Sequence, residues 1–371
     1  MIVRLKDIAR DLGVSVVTVS KALRDHVDIS EATKERVRAR MKELNYRPNL
    51  AARGLITGRS CIVGLVVPDL VHAFFSELAK GLSSVLRQNG YGLILSSSEE
   101  DPGIEKEDIE QMLARRVDAL LVASCQTAPD GLHTIQERGT PYILIDRSFK
   151  GHTANFVGND DELIGEIATE HLIGLGRTRI AHIAGPQVST SKGRSKGYRR
   201  VLSRHRVKAP AEYVVTLSTG DVVGHIAGFH AMKKLLAARP CPDGVFCYND
   251  PAAVGAMQAI IEADLKIPED IAVVGCGNLP YSSYLRVPLT SVDQGSYRLG
   301  EEAARLALAN IQAKKVLRPK SILLTPKLVV RQSTQGTGNG VIVAPKIASD
   351  ADYRRNMKPQ YVKTDDAMAR N

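Results

Sequence analysis

One face of a short helical segment near the N-terminus carries side chains whose types suit contact with DNA, namely Val16, Val17, Thr18 and Lys21, and Ser20 lies on the same segment. Valine is an unfavourable residue at a solvent-exposed helix N-terminus, because its side chain is apolar and its helix propensity is low. In the major groove, apolar groups contact thymine methyls, and a lysine one turn later reaches guanine acceptors or phosphate. The two hydroxyls can donate to phosphate oxygens. The alternative is that Val16 or Val17 packs against a neighbouring domain.

Three short helices are expected to hold this face in place. The spacing of apolar residues predicts a first helix over residues 5–12, which Gly13 ends because glycine tolerates a positive φ. Ser15 caps the second helix by accepting an N–H of its first turn. A third helix is expected from after Ser30 to about Asn45. Three helices in this order bury one small core and describe a helix-turn-helix.

The segment after the third helix has the composition of a short, marginal helix. Pro48 prevents the third helix from continuing, and Asn49 can cap a new helix of about two turns. So short a helix is marginal in isolation and should form mainly when something else holds it. Leu55, close to Arg53, suits a wedge inserted into the minor groove of bent DNA. The alternative is a plain linker over residues 48–60, with Leu55 packed on the body.

The positive charge of the chain is concentrated at its N-terminus. The 371 residues have a formal net charge of +10, and residues 1–60 hold 13 Lys/Arg against 7 Asp/Glu. A small basic head on a near-neutral body is the electrostatic footprint of a phosphate-binding module, although a solvated, charge-rich surface is an equal alternative. Because the longest apolar runs are strand-length and no apolar leader opens the chain, we expect a cytoplasmic protein with no membrane partner.

Residues 61–335 alternate apolar strand patterns with amphipathic helical patterns. The strand candidates are Cys61–Val67, Gly92–Ser96, Ala119–Ala123, Tyr142–Ile145, Arg179–Ala184, Gly244–Tyr248 and Ile271–Gly275. The helix candidates are Phe75–Gln88, Ile104–Arg115, Leu163–Leu175, Val222–Ala238, Pro251–Ala263 and Gly295–Ala313. Near-continuous apolar strands separated by helices predict parallel sheets covered on both faces, and this length predicts two lobes.

Polar side chains follow the carboxyl ends of these strands, which is where open parallel sheets bind ligands. They include Asp69, Asp146, Arg147, Asn249, Asp250 and Asn278. Any one of them alone could be a helix cap. Their shared placement predicts a cleft for a small polar ligand, because carboxylates, amides and arginine all bind hydroxyls.

The sequence lacks the short patterns of common enzyme and metal sites. It contains no GxSxG, HExxH or Walker-type loop, its five cysteines form no CxxC pair, and its histidines have no metal-ligand spacing. We therefore expect no enzymatic activity, no cofactor and no metal. Residues 336–371 show little periodicity and are predicted to be a disordered tail.

Several motifs, in order and spacing, resemble the lactose-repressor/purine-repressor family of transcription regulators. In the head they are Leu5-Lys6-Asp7-Ile8-Ala9, Gly13-Val14-Ser15, Thr18-Val19-Ser20 and Asn45-Tyr46-Arg47-Pro48-Asn49-Leu50-Ala51. In the body they include Ile145-Asp146-Arg147, Ala181-His182-Ile183-Ala184-Gly185-Pro186, Asn249-Asp250-Pro251-Ala252-Ala253 and Pro288-Leu289-Thr290-Ser291-Val292. The resemblance covers the head and roughly residues 61–335.

The resemblance implies a regulator in which the helix-turn-helix reads the major groove and two hinge helices of a dimer each insert a leucine at the operator centre. By position Leu55 is that leucine. The resemblance and the chemistry of the side chains together predict DNA contacts from Lys6, Ser15, Val16, Val17, Thr18, Ser20, Lys21, Asn49, Arg53 and Leu55. The implied partners are double-stranded operator DNA and a second copy of the chain.

The resemblance also implies an allosteric effector in a two-lobed body like the periplasmic sugar-binding proteins. By position its contacts would come from Phe74, Phe75, Asp146, Thr190, Arg194, Asn249 and Gln294. To these the strand ends add Arg147, Asp250 and Asn278. Arg194 is a forked donor able to hold two ligand oxygens, whereas the phenylalanines could stack on a sugar or equally form lobe core.

Two positions depart from the family pattern and bear on the effector. Many relatives carry an aromatic-Asp-Asn run where this chain has Cys276-Gly277-Asn278, so an effector-binding carboxylate is missing. The aromatic residue that lines the cleft near Val223 in some relatives is also absent. Both departures argue against a common sugar bound in the usual way. The resemblance still implies a sugar or sugar derivative as the effector, with a nucleobase or another non-sugar ligand as the alternative. A solute receptor for transport is a further alternative, but the DNA-reading head argues against it.

The predicted architecture is an all-α helix-turn-helix head on an α/β two-lobed body with parallel sheets. Its expected domains are residues 1–47 for DNA binding, 48–60 for the hinge helix and 61–335 for effector binding and dimerisation. The tail over residues 336–371 completes the chain.

Overall fold

The computed structural model describes residues 3–23, 25–46, 58–208, 210–218 and 223–335. Within this part the chain divides into two units. One comprises residues up to 62 together with 116–118, and the other comprises 63–115 together with the residues from 119 onward. None of the helices described is long and apolar enough to cross a membrane.

The head consists of three helices, which are α1 (Leu5–Leu12), α2 (Val16–Ala22) and α3 (Glu31–Glu43). As predicted, Gly13 ends α1 with a left-handed φ of 66°, and the Ser15 hydroxyl accepts the backbone N–H of Thr18. Ile8, Val19 and Val37 are fully buried at the centre of one small core. This core fixes which side chains of α2 point outward.

The body consists of alternating strands and helices. The elements before the chain first crosses to the other lobe are β1 (Ile62–Val67), α4 (Ala73–Gln88), β2 (Gly92–Ser97), α5 (Pro102–Ala114), β3 (Ala119–Val122), α6 (His133–Glu137), β4 (Tyr142–Ile145) and β5 (Asn155–Asn159). Then follow α7 (Asp161–Gly174), β6 (Ile180–Ala184), α8 (Ser189–Arg204), β7 (Val214–Thr216), α9 (Gly224–Ala237), β8 (Gly244–Cys247), α10 (Asp250–Glu262), β9 (Ala272–Cys276) and β10 (Thr290–Asp293). The chain ends with α11 (Ser296–Gln312), β11 (Ser321–Leu324) and β12 (Lys327–Val329).

These strands form two six-stranded sheets, one in each lobe. The first lobe has the order β11-β5-β4-β3-β1-β2, and the second lobe has the order β12-β10-β9-β8-β6-β7. Pairing is parallel from β1 through β11 in the first sheet and from β7 through β10 in the second, where the edge strand β12 runs antiparallel to β10. The expected α/β architecture with parallel sheets is confirmed.

The chain passes between the lobes three times, and one side chain ties the three passages together. Asn159, at the end of β5, donates through Nδ2 to the carbonyl oxygens of Gln294 (3.0 Å) and Leu324 (3.1 Å). The amide of Gln294 approaches Asn159 Oδ1 at 3.4 Å in return. Asn159 is buried, so each of these hydrogen bonds is formed away from competing water.

All seven predicted strands and six predicted body helices are present, with ends shifted by one or two residues. The sequence patterns missed five strands, which are β5, β7, β10, β11 and β12, and they also missed helices α6 and α8. These strands are short, and the edge strands β11 and β12 are only half-buried, so they lack a continuous apolar run. Helix α8 was missed because its first nine residues are polar apart from two glycines, Gly193 and Gly197.

Candidate nucleic-acid interface and ligand cleft

The outward face of α2 places two valines in solvent at its N-terminus. Val16 is 43% exposed and Val17 is 62% exposed, whereas Val19 on the opposite face is fully buried. Ser15 accepts the backbone N–H of Thr18 at 3.0 Å, and the two hydroxyls lie 2.9 Å apart. Ser15 therefore serves first as the helix cap, and Val16 and Val17 are the side chains presented outward.

The predicted cation of this face is present but already has a partner. Lys21 Nζ lies 3.1 Å from Asp28 Oδ2, and both side chains are partly exposed. This hydrogen bond from Lys21 is the main cause of the lowered pKa of Asp28. Ser20 is half-buried on α2, and Lys6 is exposed on the first turn of α1. A contact from Lys21 to DNA would have to replace the contact with Asp28.

The arginines of α3 hold the head together. Arg36 Nη2 donates to the carbonyl oxygen of Leu12 at 3.1 Å, and Arg40 pairs with Asp11 at 2.6 Å. Through these two contacts α3 fixes the end of α1, next to the turn that precedes α2. These two arginines therefore have a structural role in the head.

The remaining predicted DNA contacts, Asn49, Arg53 and Leu55, lie outside the described residues. So do most of the predicted hinge helix over residues 48–60 and the predicted tail over residues 336–371. These assignments stay sequence predictions.

Arg194 is the centre of the predicted ligand cleft. It lies on α8 and is buried, with 3% of its surface exposed. Its Nε donates to Asp161 Oδ1 at 3.0 Å, and its Nη1 donates to the carbonyl oxygen of Tyr248 at 2.7 Å. The guanidinium carbon also lies 4.8 Å from the centre of the Tyr248 ring. These contacts fix the guanidinium plane, and within the described residues no hydrogen bond is formed by Nη2.

Asp161 and Tyr248 contact Arg194, but they were not among the predicted ligand residues. Burial raises the pKa of Asp161 to about 7, and the neighbouring Arg194 opposes that shift. The hydroxyl of Tyr248 is 3.0 Å from Thr190 Oγ1, so Tyr248 contacts two predicted ligand residues at once. Tyr248 follows β8 directly, and its place at a strand end was the available signal.

The walls of the cleft meet at two polar contacts between the lobes. His72 Nε2 lies 3.4 Å from the side-chain nitrogen of Asn249, and the backbone N–H of Ser148 donates to Ser189 Oγ at 2.9 Å. The strand ends of the two sheets therefore face each other, as the parallel topology requires. Gln294 belongs to the same region, since its side chain contacts both Asn159 and Cys276.

On the first lobe the cleft wall is built from Asp146, Arg147 and a buried carboxylate that sequence reasoning missed. Asp146 and Arg147 follow β4 and are both buried. Arg147 Nη1 donates to the carbonyl oxygen of Ser124 at 3.3 Å. Glu105, on α5, accepts the Ser124 hydroxyl and the backbone N–H of Cys125, both at 2.6 Å. Glu105 thus fixes the end of β3 against which Arg147 lies.

Three of the predicted ligand residues are committed to the interior of the lobes. Phe74 and Phe75 are buried in the core of the first lobe, which agrees with the core alternative. The carboxylate of Asp250 is fully buried and accepts hydrogen bonds from Ser291 Oγ, Ser282 Oγ and the backbone N–H of Leu279. Burial raises its pKa, and these hydrogen bonds oppose the shift. Its role in the structure is to join β10 to the turn after β9.

Asn278 is held by neighbours at the position where the family pattern differs. Its Oδ1 accepts from Arg331 Nη2 at 2.6 Å, and its Nδ2 donates to Asp293 at 3.2 Å. The preceding Gly277 has a φ of 131°, a conformation that side chains other than glycine rarely adopt. The carboxylate missing from the motif therefore cannot be restored at position 277 without backbone strain.

Comparisons with known proteins match both units. Residues 4–49 match the model described as bacterial regulatory proteins, lacI family, and residues 169–334 match a periplasmic binding protein-like domain. The ribose operon repressor of Escherichia coli (strain K12) is 34% identical over 331 residues, covering 89% of this chain and 99% of the relative. The HTH-type transcriptional repressor PurR of Haemophilus influenzae (strain PittEE) is 30% identical over 339 residues, covering 89% and 98%.

A solved structure matches most of the chain, including both kinds of domain. The Lac repressor dimer bound to operator and the anti-inducer ONPF matches with a TM-score of 0.80 and 28% identity, covering 90% of this chain and 99% of that chain. The helical head and the two-lobed body with parallel sheets therefore occur together in that structure.

Proposed function

The chain belongs to the lacI family of bacterial regulatory proteins, and from this premise we propose that it represses transcription by binding a palindromic operator as a homodimer under the control of a carbohydrate-like effector. The family consists of DNA-binding transcription regulators rather than enzymes. We place its action in the cytoplasm, where the operator lies. The exposed pair Val16 and Val17 at the N-terminus of α2 is the observation that supports DNA reading most directly.

The DNA-binding proposal rests on two exposed apolar side chains that do not contribute to the core of the head. In the described head, Val16 and Val17 stand outside the core that Ile8, Val19 and Val37 form. A recognition helix inserts its N-terminal residues into the major groove, where such side chains meet thymine methyls. Lys21 lies one turn further along the same helix and supplies a charge for guanine or phosphate.

The proposal is tested by selecting binding sites from a random double-stranded library with the full chain. We expect a two-fold symmetric consensus, because a symmetric dimer presents two copies of α2. Replacing Val17 by Ala should weaken binding to that consensus about tenfold while leaving non-specific binding unchanged. Val27→Ala is the matched control, since Val27 is 91% exposed but lies outside the recognition helix. Enrichment of no symmetric sequence, or equal effects of both substitutions, contradicts the proposal.

The effector proposal rests on the polar groups that the strand ends gather. Arg194, Asn249, Asp146 and Gln294 provide donors and acceptors for the hydroxyls of a small neutral ligand. Arg194 is paired with Asp161, and Arg147 lies 3.7 Å from Glu100, so both arginines of the cleft have carboxylate counterparts. A relative named ribose operon repressor favours a sugar, and one named PurR supports a nucleobase as the second candidate.

A thermal-shift screen of pentoses, hexoses and nucleobases separates the two effector classes, because specific binding to the folded state raises its stability by mass action. A hit is then repeated with Arg194→Lys, which keeps the charge but loses the planar fork. We expect a sugar to raise the melting temperature of the parent and to lose affinity in the variant. A nucleobase hit would replace the sugar assignment, and no shift with either class would remove the carbohydrate-like effector from the proposal.

We propose that the effector acts by changing how the two lobes are posed. A ligand that contacts both lobes favours one of their relative orientations. The three passages between the lobes, which meet at Asn159, are the segments about which that orientation can change. A coupling of about 1–3 kcal/mol changes operator affinity several-fold to a hundredfold. The predicted hinge leucine, Leu55, is the sequence-based candidate for the receiving end of this change.

A further inference from the structure

A pocket in the first lobe lies away from the predicted ligand cleft, at the opposite end of the strands. It has a volume of about 230 Å³ and is formed between α11 and the segment that leads into β11. Asn155 at the start of β5 and Lys320 just before β11 both line it. Because β5 and β11 are parallel, this pocket sits at their amino ends, whereas the predicted cleft lies at the carboxyl ends of the strands.

The rim of this pocket is strongly basic. The loop over residues 313–320 contains Lys314, Lys315, Arg318 and Lys320 and no acidic residue. Arg318 and Lys320 line the pocket together with Arg305 from α11. Arg305 pairs at 2.6 Å with Glu302, which also lines the pocket, whereas no carboxylate of a described residue lies within 4 Å of the charged nitrogens of Arg318 or Lys320. Two of the three rim cations therefore carry uncompensated charge.

The rim is also held in a fixed conformation. The backbone N–H of Lys320 donates to Asn155 Oδ1 at 3.0 Å, and the backbone N–H of Phe156 donates to the Lys320 carbonyl oxygen at 2.9 Å. Pro319 restricts Arg318 to extended backbone conformations. The backbone of Lys320 is thus anchored and that of Arg318 is restricted, while both side chains are exposed. These backbone constraints lower part of the entropy cost of holding a ligand.

The local field favours an anion even though α11 ends at this pocket. A helix C-terminus carries about half a negative charge, which is smaller than the net charge of the rim cations. Leu306, Leu317 and Ile322 contribute apolar side chains to the lining, with Leu317 at its exposed edge. Sites for drug-sized ligands have volumes of roughly 300–1,000 Å³, so this smaller pocket suits a smaller ligand.

We propose that this pocket binds a small organic anion, with a phosphoryl or carboxylate group held by Arg318 and Lys320 and a short hydrocarbon part against Leu306 and Leu317. The fork of Arg318 matches the geometry of both anionic groups. The site is separate from the effector cleft and does not depend on the effector proposed above. The anionic group could come from a free metabolite or from an acidic side chain of a protein partner.

Titration calorimetry with the full chain at low salt tests the site. The probes are glycerol 3-phosphate and succinate as free anions, an acetylated Asp-Leu-Asp peptide as the protein-borne source, and glycerol as the neutral control. We expect saturable binding of at least one anionic probe and none of glycerol. The double variant Arg318→Ala/Lys320→Ala should bind that probe at least tenfold more weakly.

The double variant Lys314→Ala/Lys315→Ala is the matched control, since it removes the same charge from the same loop but from residues that do not line the pocket. It should bind within about twofold of the parent, because screened charges outside the pocket contribute little. Equal losses in both double variants would mean diffuse attraction and overturn the site. Absence of binding by every anionic probe overturns it as well. Binding of the peptide alone would assign the site to a protein partner.

Discussion

Arg194 donates through Nε to Oδ1 of Asp161 over 3.0 Å, so the central side chain of the predicted cleft is held by the residue at which the chain enters the second lobe. Asp161→Asn at pH 8 should lower the free energy of unfolding by about 3–5 kcal/mol, because it leaves the buried charge of Arg194 without its partner. It should also weaken effector binding, since Arg194 loses its fixed plane. Urea unfolding and calorimetry measure the two effects.

Asp160→Asn is the control for this substitution. Asp160 is exposed and accepts the backbone N–H of Leu163 at 3.0 Å, and asparagine caps a helix about as well as aspartate. The stability of this control should stay close to that of the parent. If both variants behaved alike, the ion pair would not be what holds Arg194.

A second prediction concerns the close contact between α7 and α8. A Cβ added at Gly165 would lie 2.1 Å from the carbonyl oxygen of Arg194, and one at Gly197 would lie 2.0 Å from that of Glu162. Gly165→Ala should therefore push α8 away, destabilise the body by about 1–3 kcal/mol and weaken effector binding. Thermal unfolding and effector titration report both losses.

Gly174→Ala provides the comparison, because Gly174 lies on the same helix and its added Cβ would meet nothing within 4 Å. Alanine in a helix should be neutral or stabilising there by up to about 1 kcal/mol. A Gly165→Ala protein as stable as this control would show that the two helices can separate at no cost.

The sequence predicted the regular part of the fold and missed the parts that depend on close approach. Strands such as β1 and β3 are buried on both faces, so their apolar runs were visible. Helix α8 was missed because Gly193 and Gly197, which its packing against α7 requires, look like helix breakers in a sequence. The family motifs located Arg194, but nothing in a sequence pairs it with Asp161, 33 residues away in another element.

The third prediction concerns the contact between Lys21 and Asp28. Asp28→Asn should raise non-specific DNA affinity about two- to fivefold, because Lys21 no longer has to leave an exposed ion pair and a carboxylate near phosphate is removed. Fluorescence anisotropy with an unrelated duplex measures this change.

Glu35→Gln removes the same charge from α3, and Glu35 forms no ion pair with a described residue. Its effect should be smaller than that of Asp28→Asn, and the difference between the two variants should shrink as salt is added. An unchanged affinity in Asp28→Asn would indicate that Lys21 does not reach the phosphates.

The last prediction concerns His182, which is fully buried on β6. Its Nδ1 lies 2.9 Å from the carbonyl oxygen of Phe246, and its Nε2 lies 3.1 Å from Ser195 Oγ. A carbonyl can only accept, so Nδ1 carries the proton and Nε2 accepts from the serine hydroxyl. The ring also stacks on Phe246 at 4.8 Å between centres. This environment holds the neutral imidazole, and burial lowers the pKa of His182 to about 4.

A lowered pKa in the folded state means that between pH 6.5 and pH 4 the unfolded chain binds a proton that the folded chain does not. The stability supplied by the neutral ring is therefore fully present above pH 6.5 and is lost progressively as the pH falls toward 4, by about 3 kcal/mol. In the variant His182→Asn, the asparagine side chain can place an amide N–H where Nδ1–H lies in the parent, and it does not titrate. Urea unfolding followed by circular dichroism from pH 7 to pH 4 should show a smaller loss of stability in His182→Asn than in the parent. Parallel curves for the two proteins would show that His182 takes up its proton in the folded state as easily as in the unfolded chain.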